Sequence, residues 1–259
     1  MKKMDYVKLF ILTVFLFIIS GCSNMMDQYS DDPVKGGHSA GDQQVFTADG
    51  VSFVMVYVPG GLSYKTGVDD NGDIDGDGDQ DVSPVATVAG AYWIAETEVT
   101  YKLWKKVYDW ATDSARGTKK YTFSYAGTMS TTDLHPVTTV SWRDMMVWCN
   151  ALTEWYNAQA GTDYSCAYYT DTGYTTPIRV STTSTTITYT APGTQDCPYI
   201  KASVTGNSSM DNCTATGFRL ITGAEWELAA RYRGGDDSYG AYEYPAGSGY
   251  WWSPGNYAC

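Results

Sequence analysis

The amino-acid sequence predicts an α+β domain, rich in loops, with a small mixed sheet and about three helices. Three observations carry this expectation. Apolar runs containing β-branched and aromatic residues occur at Phe53–Val58 and Ala91–Ile94, and short runs of this kind read as buried strands. Thr100, Ser141 and Thr222 each precede a segment with apolar residues at helical spacing, the arrangement of a helix N-cap. Between the second and third of these segments, from about Gly161 to Thr216, Tyr, Thr and Ser dominate without a helical period. That composition suits short strands and loops.

The first 21 residues stand apart from the fold. Lys2, Lys3 and Lys8 lead into an apolar run from Leu9 to Ile19. The run is shorter than the roughly 20 apolar residues of a spanning helix, and a positive flank with a short apolar core is the pattern of a signal peptide. Ile19-Ser20-Gly21-Cys22 resembles the lipobox of bacterial lipoproteins, whose cysteine is lipidated and becomes the mature N-terminus. Residues 1–21 are therefore expected to be a lipoprotein signal peptide, with an ordinary cleaved signal or an uncleaved anchor as alternatives. Residues 22–44 run from the lipidated Cys22 through a stretch dominated by Asp, Ser, Gly and Gln, and read as a flexible tether. The folded domain is expected over residues 45–259, long enough for one substantial core.

Charge narrows the partners. The whole chain carries a formal charge of −12; removing Lys2, Lys3, Lys8 and Asp5, together +2, leaves −14. Nucleic-acid binders are basic, so nucleic acid is excluded as a partner. A polybasic membrane contact is excluded as well, which leaves the lipid on Cys22 as the link to the membrane. The expected location is the bacterial cell envelope, periplasmic or surface-exposed.

Each element has its own warrant. Phe53–Val58 ends at Pro59-Gly60-Gly61 and reads as a strand buried on both faces. After Thr100, Leu103, Val107 and Ala111 recur four apart, with Trp104 and Tyr108 widening the stripe. Ser141 and Asp144 form a near-capping box, followed by an apolar face of Met145, Trp148, Cys149, Leu152 and Tyr156. Thr222 and Glu225 are a capping box by type and spacing, with Trp226, Ala229 and Ala230 behind it.

Cysteines and carboxylates are the candidate ligands. Besides Cys22, the chain has Cys149, Cys166, Cys197, Cys213 and Cys259, without a CxxC pair or a zinc spacing. Cys149 falls on an apolar helix face and is expected to be a buried thiol. Cys166, Cys197 and Cys213 share one Thr/Ser-rich segment and could pair there. Asp73, Asp75, Asp77 and Gly78 match the D-x-D-x-D-G start of a calcium loop, and Asp79 and Asp81 occupy later ligand positions. The twelfth position is Pro84, which cannot supply the bidentate carboxylate, so a weak calcium site and a solvated acidic turn are the two readings. His135 is alone in the domain and His38 falls in the tether, while GxSxG and HExxH patterns are absent.

Four segments together resemble the formylglycine-generating enzyme, or sulfatase-modifying factor, family. They are FVMVYVPGG (53–61), YWIAETEVTYKLWKKV (92–107), HPVTTVSWRDMMVWCNAL (135–152) and GFRLITGAEWELAARYRGG (217–235). Their shared order spans nearly all of residues 50–235. The resemblance implies a fold related to C-type lectins, on which copper-dependent cysteine oxidases, iron enzymes forming carbon–sulfur bonds and binding or display proteins are all built. Ile221 and Gly223 replace the proline and glutamate usual in the last segment. In the family that helix is followed by a calcium region, later strands and the active cysteines, and no cysteine here matches that motif. Asn256 is similar to an asparagine that begins one family calcium site. The expected function is therefore non-catalytic binding or display of a protein or glycan ligand by a lipid-anchored extracytoplasmic protein. The alternatives are a formylglycine-generating oxidoreductase, using copper, if the native product is longer or complemented, and a truncated product without function.

Overall fold

The computed structural model describes residues 17–19, 37–65, 85–183, 192–201 and 213–231. Its strands are β1 (Phe17–Ile19), β2 (Gln43–Ala48), β3 (Val51–Val58), β4 (Leu62–Lys65), β5 (Val85–Val88), β6 (Tyr92–Ala95), β7 (Tyr168–Tyr169), β8 (Tyr199–Ile200) and β9 (Phe218–Leu220). Its helices are α1 (Tyr101–Thr112), α2 (Trp142–Ala160) and α3 (Gly223–Arg231), with a 3₁₀ segment at Ser114–Lys119. A five-stranded sheet in the order β2-β3-β6-β1-β9 divides the domain, and two-stranded pairs β4-β5 and β7-β8 flank it. Pairings within the sheets run antiparallel, while an isolated parallel bridge joins Thr122 to Val180.

Alternation along the strands builds two cores, because successive side chains of a strand point to opposite faces. From β3 and β6, Met55, Trp93 and Ala95 face α1 and α2 in the larger core. Val56, Val58, Tyr92 and Ile94 face the other way, against Tyr64, Val88, Leu228 and Ala229. Along the run expected to be buried on both faces, Phe53–Val58, Met55, Val56 and Val58 are buried and Phe53, Val54 and Tyr57 half-buried. The β2–β3 hairpin turns on Asp49 and Gly50, both with positive φ, at 45° and 76°. An Asp-Gly pair between strands is a strong hairpin signal, so β2 was legible in the sequence. It begins at Gln43, two residues inside the segment read as tether.

The helices start where the hydroxyls predict. Thr100 caps α1 by accepting from Leu103 N at 3.3 Å, and the helix buries Leu103, Trp104, Val107 and Ala111. Ser141 and Asp144 make a complete capping box on α2, and Gly161 ends the helix in the left-handed conformation. The Trp104 and Trp148 rings stack at 5.1 Å between α1 and α2. This contact locks the two helices together, since aromatic pairs add about 0.5–1.5 kcal/mol beyond area burial.

Strand β1 belongs to the apolar run read as part of the signal peptide. Its backbone pairs Ile18 with Ile94 of β6 and Ile18 with Arg219 of β9, so it bridges two otherwise separate parts of the sheet. A chain beginning at Cys22 lacks this strand. Its β6 and β9 edges lose hydrogen-bond partners, and each buried group left unpaired costs about 1–3 kcal/mol. Urea unfolding should show the 22–259 chain less stable than the unprocessed chain by at least about 2 kcal/mol; equal midpoints would remove β1 from the sheet.

Candidate functional site

The candidate calcium ligands and the lipidation site fall outside the described part. Asp73, Asp75, Asp77, Asp79, Asp81, Asn256 and Cys22 all lie outside the described residues. Among the described residues, no group of three His, Cys, Asp or Glu is arranged to hold a metal. The same residues contain no helix long and apolar enough to cross a membrane. The chemistry in view lies in the thiols, the signature segment and the charged groups around α2.

Cys149, Cys166 and Cys197 are free thiols, the first two buried and Cys197 half-buried. Cys149 sits on the apolar face of α2, as its spacing predicts. Burial pushes its thiol far up, against the opposing pull of the Arg219 charge. Burial likewise raises the Cys166 thiol, with Glu154 adding to the effect, and its Sγ donates to Asn150 O at 3.7 Å. Both groups are thus held as protonated packing groups. The copper chemistry implied by the resemblance needs thiolate ligands, and these two thiols do not fit it.

The signature segment builds a rigid corner. Phe218–Leu220 is strand β9, and Thr222 begins α3 with a reciprocal box: Glu225 N donates to Thr222 Oγ1 at 3.2 Å, and Thr222 N to Glu225 Oε2 at 2.9 Å. The Arg219 guanidinium meets the same carboxylate with two bonds, of 2.8 and 2.5 Å. Arg219 is only 3% exposed. Burial works against ionisation of Glu225, but hydrogen bonding and charge from Arg219, with Thr222, outweigh it and hold the carboxyl below its ordinary range. Two tyrosines tie this corner to the sheet: Tyr92 donates to Glu225 O and Tyr64 to Ala224 O, each at 2.5 Å. Arg219 and Glu225 therefore support the fold. Sequence reasoning found the Thr222–Glu225 cap but missed the role of Arg219, although Arg six residues before an acidic helix start was visible.

A second charged group lies where the 3₁₀ segment meets α2. Glu154 accepts from Arg116 Nη2 at 3.0 Å and from both Nε and Nη2 of Arg179. The Arg116 guanidinium also rests 3.4 Å from the Trp110 ring centroid. Two cations on one carboxylate leave a local positive charge on an acidic protein. Each of these side chains keeps partial exposure, so the group contributes modestly to stability.

Comparison with known proteins follows the same outline. A family model described as "Sulfatase-modifying factor enzyme 1-like domain" matches residues 43–256. Among solved structures, Treponema denticola variable protein 1 is similar at 22% sequence identity, covering 73% of this chain and 56% of that one, with a TM-score of 0.43. The chain therefore spans little more than half the length of that protein. No curated protein matches.

The depressed Glu225 carboxyl sets a pH dependence. Its stabilisation is present above the unfolded carboxyl value, near 4.5, and is lost as pH falls through the lower folded value. Melting temperature should fall as the protein is acidified below that window. Glu225→Gln should flatten this part of the profile and, by leaving Arg219 buried without its counter-charge, cost about 3–5 kcal/mol at neutral pH. A variant with the parent's acid profile would separate Glu225 from this effect.

Proposed function

The chain belongs to the sulfatase-modifying factor enzyme 1-like family, and we propose that it is a lipid-anchored, extracytoplasmic binding or display protein and not an oxidoreductase. The observation that carries this reading is the state of its thiols: Cys149 and Cys166 are buried and held protonated. Thiolate is the species that coordinates copper and reacts with an oxidant. A domain whose fully buried cysteines serve the core retains the family scaffold for recognition, for which a rigid frame carrying surface loops is suited. The ligand class is a protein or a glycan.

Anchoring rests on the sequence. Lys2, Lys3 and Lys8, the Leu9–Ile19 run and the Ile19–Cys22 segment support processing ahead of Cys22 and lipidation there. Processing at that point also takes away β1, so the processed sheet presents the β6 and β9 edges to another strand.

Two measurements test the reading. The purified chain, supplied with copper and a sulfatase-derived cysteine peptide, should consume no oxygen above the copper blank. Uptake that disappears in Cys149→Ala or Cys166→Ala would overturn the non-catalytic role. Expressed in a bacterial host, the protein should fractionate with membranes and carry an acylated N-terminal cysteine by mass spectrometry. Cys22→Ser should release it from that fraction, and an unchanged distribution would overturn the anchor.

A further inference from the structure

Large exposed apolar side chains are concentrated on one loop. Seven are found among the described residues, and Tyr125, Met129, Leu134 and Trp142, between 46% and 66% exposed, lie within 18 residues of chain. A fifth, Val180, is brought to the same place: Thr122 N donates to Arg179 O and Ser181 N to Thr122 O, both at 2.9 Å. One buried carboxylate gathers three of them. Asp144 is fully buried and accepts from Ser124 N at 2.7 Å, from Ser141 Oγ at 2.6 Å and from Ser181 Oγ. Tyr125, Trp142 and Val180 each adjoin one of those donors in the chain.

The loop is held in one shape before anything binds. Trp104 Nε1 donates to Ala126 O at 2.8 Å. Thr128 and Thr138 exchange backbone bonds of 2.7 and 3.0 Å, and Tyr101 N and Lys102 N donate to His135 O and Asp133 O. Gly127 fits closely beneath Trp104, since a Cβ there would come within 2.7 Å of Nε1. Thr139 is held at φ 57°, an outlying conformation for a β-branched residue, and such strain persists where the surroundings over-determine it. Pre-ordering of this kind lowers the entropy lost on association.

We propose that the loop from Tyr121 to Trp142 is a self-association face, through which two copies of this chain pair about a two-fold axis. Charge selects this occupant. The chain carries −12 overall, yet between Tyr121 and Trp142 the sole charged residue, with His neutral, is Asp133. Two acidic copies repel over most of their surfaces, and here they meet apolar and hydroxyl groups. The neighbouring Arg143 and Arg179 are already paired, with Asp196 and Glu154. Half-exposed Tyr, Met and Trp side chains are the types that anchor interfaces. The inference goes beyond the binding reading above and does not depend on it.

Sedimentation equilibrium of the full chain tests the face. A concentration-dependent dimer is expected, and screening the net charge with salt should not weaken it. Tyr125→Ser with Trp142→Ser should raise the dimer dissociation constant by about tenfold or more, whereas Val45→Ser with Val85→Ser, at exposed sites elsewhere, should leave it unchanged. Circular dichroism and melting temperature check that each variant folds. If the first pair fails to fold, Met129→Ser with Leu134→Ser takes its place. A monomer at every concentration overturns the proposal, as does a dimer insensitive to the loop variants, the result expected if residues 9–19 drive association. Co-sedimentation with phosphatidylcholine vesicles that the loop variants abolish would assign the face to a membrane and also overturn it.

Discussion

Buried polar side chains on α2 hold the loop-rich half of this domain in place. Backbone N–H and C=O groups taken from water need partners, and much of the chain from 161 to 183 has no sheet ladder to supply them. Helix α2 supplies them. Asn150 Nδ2 donates to Tyr168 O at 2.8 Å and Ile178 O at 3.1 Å, and its Oδ1 accepts from Tyr168 N at 3.2 Å. Thr153 Oγ1 accepts from Phe218 N at 2.9 Å, and Asn157 Oδ1 accepts from Tyr164 N at 2.9 Å. Asp144 does the same at the helix start, for Ser124 N. Every residue of α2 from Asp144 to Thr153 is buried, so these bonds form where water cannot substitute for them.

That dependence explains where glycine and the signature segment matter. Gly217 approaches α2 so closely that a Cβ would lie 2.6 Å from Thr153 Oγ1. The close approach lets Phe218 N reach that hydroxyl, and β9 then carries Arg219 and Leu220 into the sheet. Leu220 N donates to Tyr168 OH at 2.9 Å, which links the strand to the irregular region. The segment resembling an enzyme signature is thus a junction among α2, α3, the sheet and the loops. Such a junction makes the fold, while chemistry depends on the residues placed on it.

The thiols and the charges follow from the same packing. Cys149 lies on α2 and Cys166 donates to Asn150 O of the same helix, and both are sealed from solvent. Cysteine behaves there as a small hydrophobe with a weak donor. At the exposed end of the helix, Asp144 fixes the 121–142 loop from inside, so apolar groups stand on a frame that does not collapse over them. A buried carboxylate and an exposed tryptophan two residues away are parts of one construction.

The helix starts, the heart of the sheet and the family were legible in the amino-acid sequence. Thr100, Ser141 and Thr222 cap where they stand because capping is local, requiring a hydroxyl and an amide three residues apart. Phe53–Val58 and Ala91–Ile94 read as strands because a short apolar run rich in β-branched and aromatic residues is written in consecutive positions. The Asp49-Gly50 turn was equally local and marks β2. The role of the polar face of α2 emerged from three-dimensional packing. Asn150, Thr153, Glu154 and Asn157 have the spacing of a solvated stripe, and become buried or half-buried because residues 164–181 and 216–218 fold over them. Packing also decided that Arg219 pairs with Glu225, and that β1 lies between β6 and β9. Those outcomes depend on partners far away in the chain or on the other side of a turn, and periodicity reports only which residues are apolar, not what covers the rest.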